Sequence, residues 1–294
     1  MDEFKLKRVL CPVDFSEPSG AALRLAGGVA KMFGAEITVL HAQHLEAPVY
    51  FTAAQMQALK AQLRRSTRAA RTHVADFVAK HLPADLPRSI EVVEDDPVAA
   101  ILRTSENSKA GLIVMGTHGR TGLTKVRLGS VMESVLRQTD VPILTVGPNI
   151  KAVASLGAIR RILCPVNYTS SAESAFEHAR KLAERTGAEL ILIHIAEQGA
   201  QGQGLEEARK ALCDWVAPDV RERCSVKEVV RQGNSAEQIV AEAKSSGADL
   251  VVIGAQPHES LGAMLFGSTT EAVIRRAPCP VFLVVRRERS LRHS

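Results

Sequence analysis

The stretch 116–137 reads GTHGRTGLTKVRLGSVMESVLR and sets glycines at 116, 119 and 129 among hydroxyl and cationic side chains. Glycine has no Cβ and reaches positive φ readily, so such a loop lets main-chain N–H groups come close to an incoming group. Gly129 and Ser130 then open a predicted helix, whose free N–H groups and positive dipole end suit phosphate oxygens. Ser130 adds a hydroxyl donor, and Arg120, Lys125 and Arg127 bring positive charge. The same residues also suit a long surface turn with Ser130 as a simple helix cap. The spacing is neither that of a P-loop, which closes on Gly-Lys-Ser/Thr, nor the Gly-x-Gly-x-x-Gly of dinucleotide folds.

A loop of this kind needs rigid elements to deliver it. The run LIVMG immediately before it predicts a buried strand, and residues 130–137 predict a helix. Upstream, 9–13 is a short apolar run, and 18–33 carries Ala22, Leu25, Ala26 and Val29 at helical spacing before Gly34. ITVLHA predicts a second strand, 55–80 a charged helix, 90–93 a third strand and 97–104 a helix opened by proline; PILTV closes the series as a fifth strand. Strands alternating with helices predict a parallel sheet covered on both faces. Open parallel sheets bind ligands at the carboxyl ends of their strands, which is where the glycine loop emerges.

The chain is written twice. RVLCPVDFSEPSGAALRLAGGVAKMFGAEITVLHA returns as RILCPVNYTSSAESAFEHARKLAERTGAELILIHI, and LGSVMESVLRQTDVPILTVG returns as FGSTTEAVIRRAPCPVFLVV. The predicted fold class is therefore α/β: two tandem doubly wound, Rossmann-like domains, 1–150 and 151–294, each with a five-stranded, mainly parallel sheet. The junction falls in 147–158, where Gly, Pro and Asn interrupt strand character.

Composition narrows the partners. A 46% hydrophobic content with mean hydropathy near zero fits a globular chain with a full core. No apolar run reaches the roughly 20 residues a bilayer requires, and the first residues do not resemble a signal peptide, so the expected location is the cytoplasm and no membrane partner is expected. The net charge of +5 is spread over interspersed charges, and 4% aromatics leave little to stack on bases. Both argue against nucleic acid, including at the basic run 63–72. The five cysteines show no paired spacing and predict buried, reduced thiols.

With Gly116, Gly119, Gly129 and Ser130, the loop matches the pattern Gly, two residues, Gly, nine residues, Gly, Ser/Thr. Together with CPVDFS, LHA and DVPILTV, this resembles a tandem member of the universal stress protein family, across nearly the whole chain. The resemblance implies an adenine nucleotide alpha hydrolase-like fold and a bound adenine nucleotide: ATP, or AMP or ADP, with Mg²⁺ as a candidate companion. It places Pro12 and Val13 at the base, Asp14 near the ribose and Ala42 against adenine. Met115 and Gly116 continue the site, while Gly119, Gly129, Ser130 and Val131 hold the phosphates; the charge of Arg120, independently of the resemblance, suits screening them. It also implies that the fifth strands pair the two domains about a pseudo-twofold axis, with a homodimer as a further assembly.

Several residues keep two readings. Asp14 can accept hydrogen bonds from ribose hydroxyls or cap the following helix. His41 and His194 occupy matching places and read as packed histidines, and His118 either faces a phosphate or stands partly exposed. In the second copy Gly254, Gly267 and Ser268 keep their spacing, but Pro257 replaces Gly119, Asn167 replaces Asp14, and His258 and Glu259 replace the cations. Proline supplies no N–H, so the first domain is expected to hold the nucleotide. Gly233 is paired with Asp96, and the acids Asp95 and Asp96 would either repel phosphate or help hold Mg²⁺.

Three function classes follow: a nucleotide-binding stress-response regulator, a slow Mg-dependent ATP hydrolase, or an interaction module independent of nucleotide. No residue has a catalytic assignment and no metal site is expected. Cys213 and Cys224 lack ligand partners at suitable spacing.

Overall fold

The computed structural model describes residues 6–43, 53–118, 128–147, 159–196, 199, 202–255, 257–260 and 263–285, and only the backbone of 53–66, 257–260 and 263–266. The first half runs β1 (Arg8–Pro12), α1 (Glu17–Phe33), β2 (Glu36–Gln43), α2 (Ala53–His81), β3 (Arg88–Glu94), α3 (Pro97–Ser108), β4 (Leu112–Gly116), α4 (Ser130–Gln138) and β5 (Ile143–Val146). The second runs β6 (Arg161–Pro165), α5 (Ser170–Thr186), β7 (Glu189–Ala196), α6 (Gln203–Trp215), α7 (Pro218–Arg223), β8 (Val226–Gln232), α8 (Ser235–Ser245), β9 (Leu250–Ala255), β10 (Pro257–Ser260), β11 (Ala263–Phe266), α9 (Ser268–Arg276) and β12 (Val281–Val285).

Local chemistry sets these boundaries. The Ser16 side chain accepts from Ser19 N to start α1, and Gly34 ends it in the left-handed region at φ 64°. Thr169 and Gly187, at φ 70°, do the same for α5. The central strands are apolar on both faces: Leu112, Ile113, Val114 and Met115 of β4 and all of β12 are buried. A strand covered on both sides needs a continuous apolar run rather than alternation.

Each half is a doubly wound unit of five parallel strands, ordered β3-β2-β1-β4-β5 in the first and β8-β7-β6-β9-β12 in the second. The two join through β5 and β12, which pair antiparallel with Leu144 opposite Phe282, making one ten-stranded sheet. The core crosses the junction. Leu6, Val29, Phe33, Leu144, Leu182 and Phe282 meet around a void of about 10 Å³ whose lining offers a water no polar partner. Above it, the Arg185 guanidinium lies 4.7 Å from the Phe33 ring centre and donates to Met32 O at 2.8 Å, tying α5 to α1.

Cys11, Cys164, Cys224 and Cys279 are buried, whereas Cys213 is exposed on α6, against expectation. Burial raises the Cys11 thiol and pushes Cys164 and Cys279 up to about 12. Among the described residues no helix is long and apolar enough to cross a membrane. Of the expected domain junction, 148–158 lie outside the described residues.

Candidate functional site

The chain reverses its winding between β1 and β4, and at that switch point a cavity of about 290 Å³ opens at the strand ends. One wall is apolar, built by Pro12 at the end of β1 and Val13 after it, Leu40 and Ala42 from β2, Ile101 from α3 and Met115 from β4. The other is the opening of α4, with Gly129, Ser130, Val131 and Met132. Of the residues expected to bind, Pro12, Val13, Asp14, Ala42, Met115, Gly116, Gly129, Ser130 and Val131 all line this one cavity. Gly119 and Arg120, with Lys125 and Arg127, lie outside the described residues.

The starts of α4 and of its counterpart α9, which opens on Gly267, differ from the capped helices of the two halves. Helices α1, α3, α5 and α8 each receive a side-chain cap, from Ser16, Asp96, Thr169 and Asn234 respectively. Helix α4 opens on Gly129 with no side-chain cap. Its first amides, on Ser130, Val131 and Met132, have no backbone acceptor among the described residues. Uncapped amides beside a cavity form an anion-attracting surface, reinforced by the helix dipole.

Two glycines serve for reasons other than those expected. Gly129 has an ordinary φ of −61°, and its N–H already donates to Thr117 O at 2.9 Å, so this amide closes the loop and is not free for a phosphate. Gly116 is likewise not in the positive-φ region. A Cβ there would stand 2.9 Å from Pro18 Cβ, so the glycine lets α1 pack against the end of β4. Gly254 does the same in the second half, where a Cβ would lie 2.3 Å from Ser171 O.

Asp14 is not the helix cap. Its Oδ1 accepts from Ser16 N at 3.0 Å and Ser16 Oγ at 2.5 Å, orienting the Ser16 side chain that does cap α1. Phe15 between them is held at φ 66°, a conformation costing on the order of 1–3 kcal/mol in a bulky residue. Its ring is fixed by His41 at 4.5 Å and Phe77 at 5.4 Å between centroids. His41 is also bonded through Nδ1 to Val13 O at 2.8 Å, which requires the proton on Nδ1 because a carbonyl only accepts. The second half repeats the device with Asn167, Thr169, Tyr168 at φ 59° and His194 on Val166 O. The histidines thus pin the loop, and the strained aromatics went unnoticed in sequence, where their only signal is an aromatic after the Asp or Asn in both copies.

The acidic pair is also occupied. Asp96 caps α3 by accepting from Val98 N and Ala99 N, while Asp95 accepts from Asp96 N and pairs with Arg103 at 2.7 Å. Asn234 caps α8 as Asp96 caps α3, so Gly233, at φ 116°, matches Asp95 rather than Asp96. Neither carboxylate lines the cavity, and they do not fit a magnesium site. Among the described residues no cluster of His, Cys, Asp or Glu could hold a metal ion.

The second half has a counterpart cavity of about 410 Å³. Asn167, Ile195, Gly254 and Gly267 stand where the first has Asp14, Ala42, Gly116 and Gly129, and Thr169, Ser171, Ser235, Thr269 and Thr270 add hydroxyls. Its loop folds into the β10–β11 hairpin, with Pro257 opposite Phe266, so part of its backbone is used on itself.

Comparison with known proteins covers both halves. The universal stress protein family matches residues 5–147 and 158–286. A universal stress protein of Mycolicibacterium smegmatis is 26% identical over 297 residues, covering 94% of this chain and 96% of its own. One from Mycobacterium tuberculosis is 30% identical over 207 residues, 66% of this chain and 67% of its own. The crystal structure of a universal stress protein from Archaeoglobus fulgidus superposes with a TM-score of 0.71 at 26% identity, over 96% of this chain and 100% of that one.

Proposed function

The chain belongs to the universal stress protein family, and on that premise we propose that it is a stress-response regulator that binds an adenine nucleotide: ATP, or its ADP and AMP relatives. The observation that carries this reading is the set of uncapped amides at the start of α4, which face a cavity whose opposite wall is apolar. One end suits a flat base and the other an anion. In this reading the domain of residues 1–150 holds the nucleotide and that of 151–294 is its weakened copy, paired to it through β5 and β12.

Pro12, Val13, Ala42 and Met115 border the adenine. Asp14 meets the ribose while still holding Ser16, because a carboxylate offers about four acceptor positions. Ser130 and Val131 give their N–H groups to phosphate, Gly129 keeps the approach open, and Gly119 and Arg120 complete the loop. Binding shifts a conformational or assembly equilibrium by its preference for one state. Any magnesium travels with the phosphates, and no step is assigned to it. A homodimer would have to use a surface other than the fifth strands, since β5 and β12 each have a neighbour on both edges.

The test removes one amide without breaking the helix. Proline is tolerated at a first helical position, and Gly129, at ψ 140°, suits the residue before proline. Purified wild type, Ser130→Pro, Ser130→Ala and Ser268→Pro are denatured and the released small molecules identified. Adenine nucleotide is expected from all except Ser130→Pro. No nucleotide from wild type overturns the reading, and loss only in Ser268→Pro moves the site to the second half. Steady phosphate release from added ATP would make the protein a hydrolase.

A further inference from the structure

We propose that His118 is a specificity-determining residue of the first cavity, its Nε2–H donating to a phosphate oxygen of the bound nucleotide; this rests on the nucleotide reading above. His118 lines the cavity, and its Nε2 is buried with no hydrogen-bond partner among the described residues. Buried polar atoms in folded proteins are nearly always paired, because an unpaired one forfeits its bonds to water. An orphan on a cavity wall is a group whose partner arrives with the ligand.

The rest of the ring is fixed. Nδ1 lies 2.9 Å from Thr117 Oγ1. Thr117 is itself pinned: its N–H donates to Val146 O at 3.0 Å, and its carbonyl accepts from Gly129 N at 2.9 Å. The second bond holds residue 117 against the residue that opens α4, so His118 follows directly from the point where the loop meets the free amides. In the tautomer whose Nδ1 accepts from the Thr117 hydroxyl, the ring carries its proton on Nε2 and presents a donor there. Beside uncapped amides, the partner that fits is an anionic group made only of acceptors, which is the phosphate rather than the base.

The experiment titrates wild type, His118→Phe and His118→Gln with ATP and with adenosine by calorimetry. Phe keeps a planar ring without the donor, and Gln restores an N–H at similar reach. His118→Phe is expected to weaken ATP about tenfold, the loss of one charge-assisted bond, and to leave adenosine within about twofold. His118→Gln is expected to recover most of the ATP affinity. The His118 Nε2 nitrogen resonance should move on adding ATP and not on adding adenosine. Unchanged ATP binding by His118→Phe overturns the assignment, as does an equal loss for ATP and adenosine or a failure of Gln to rescue. A wild type that binds neither ligand removes the nucleotide reading and this role with it, whereas a wild type that binds ATP with an indifferent Phe variant removes only this role.

Discussion

The two halves of the chain share a scaffold and differ where a ligand would touch. The residues that build the scaffold recur in kind: Ser16 and Thr169 as caps, Gly34 and Gly187 as helix terminators, Phe15 and Tyr168 at positive φ, and His41 and His194 on the loop carbonyls. Of the residues that face the cavities, Pro12, Val13, Gly116 and Gly129 recur as Pro165, Val166, Gly254 and Gly267, while others do not. Ala42 becomes Ile195, Asp14 becomes Asn167, and Pro97, Val131 and Met132 become Ser235, Thr269 and Thr270. Space does not separate the two, since the second cavity is the larger at about 410 Å³ against about 290 Å³. What changed is the chemistry of particular wall positions: the carboxylate of Asp14 is gone, and Pro97, Val131 and Met132 have given way to hydroxyl residues. Packing demands fixed geometry from both copies, while ligand contact makes demands only where a ligand is held.

The largest expected effect tests whether the halves are one body. The chain's one tryptophan, Trp215, lies in the second half, while Leu144 lies in the first, beside Phe282 at the junction. Leu144→Ala is expected to cost about 2–5 kcal/mol through lost burial and a cavity. Because the sheet and core are continuous, the loss should appear in urea unfolding followed by Trp215 fluorescence as fully as in circular dichroism of the whole chain. A Trp215 transition left in place while the dichroism transition shifts would divide the molecule into two independent domains.

The next effect tests what the walls do. Ala42→Ile copies Ile195 into the first cavity and puts a branched side chain where the adenine ring is expected. Overpacking a shaped site of this kind should weaken ATP and adenosine alike, by about 100-fold or roughly 3 kcal/mol. The reverse change, Ile195→Ala, should leave ATP binding by the chain as it was. Equal affinity in Ala42→Ile and wild type, measured by calorimetry, would show that the base does not lie against β2.

Much of this comparison is legible in the sequence, and the parts that are not share a physical cause. The repeat, the succession of strands and helices along the chain and the helix starts at Pro97 and Ser130 follow from periodicity and from cap chemistry, which act over a few residues. Gly116 and Gly129 could be marked as special, but not for the right reason. Whether a glycine serves a ligand, a close-packed Pro18 or a bond to Thr117 depends on what sits across from it in space. The contrast between Ala42 and Ile195 is visible in the text but acquires meaning only once β2 is known to form a cavity wall. The off-by-one pairing of Gly233 with Asp96 arose because acids and glycines align by type, while the caps Asp96 and Asn234 align by geometry. The orphan Nε2 of His118 is legible only in coordinates.

The smallest expected effect again compares the halves, through a histidine that each holds neutral. In the first half Arg24 Nη1 donates to His81 Nδ1 at 2.8 Å, joining α1 to α2, and a guanidinium can only donate, so Nδ1 must be bare. Burial, and then the charges of Arg24 and Lys80, hold the His81 pKa below its ordinary 6.5. In the second half His178 sits 5.8 Å from Phe282 at the junction. Burial lowers its pKa, with Lys181 acting in the same direction and Ser174 O and Glu177 opposing. For both, the unfolded chain binds protons more readily than the folded one, so their contribution is complete above pH 6.5 and is lost as pH falls through the folded values. Urea midpoints should therefore decline on acidification from about pH 7.5 to about pH 5.5. His178→Gln should flatten part of that decline in global unfolding, because its ring packs at the shared core. His81→Gln should act mainly on amide exchange within α2, which this bond fastens to α1. If neither substitution alters the pH dependence, the acid sensitivity belongs to carboxylates, and the two histidines are packing groups only.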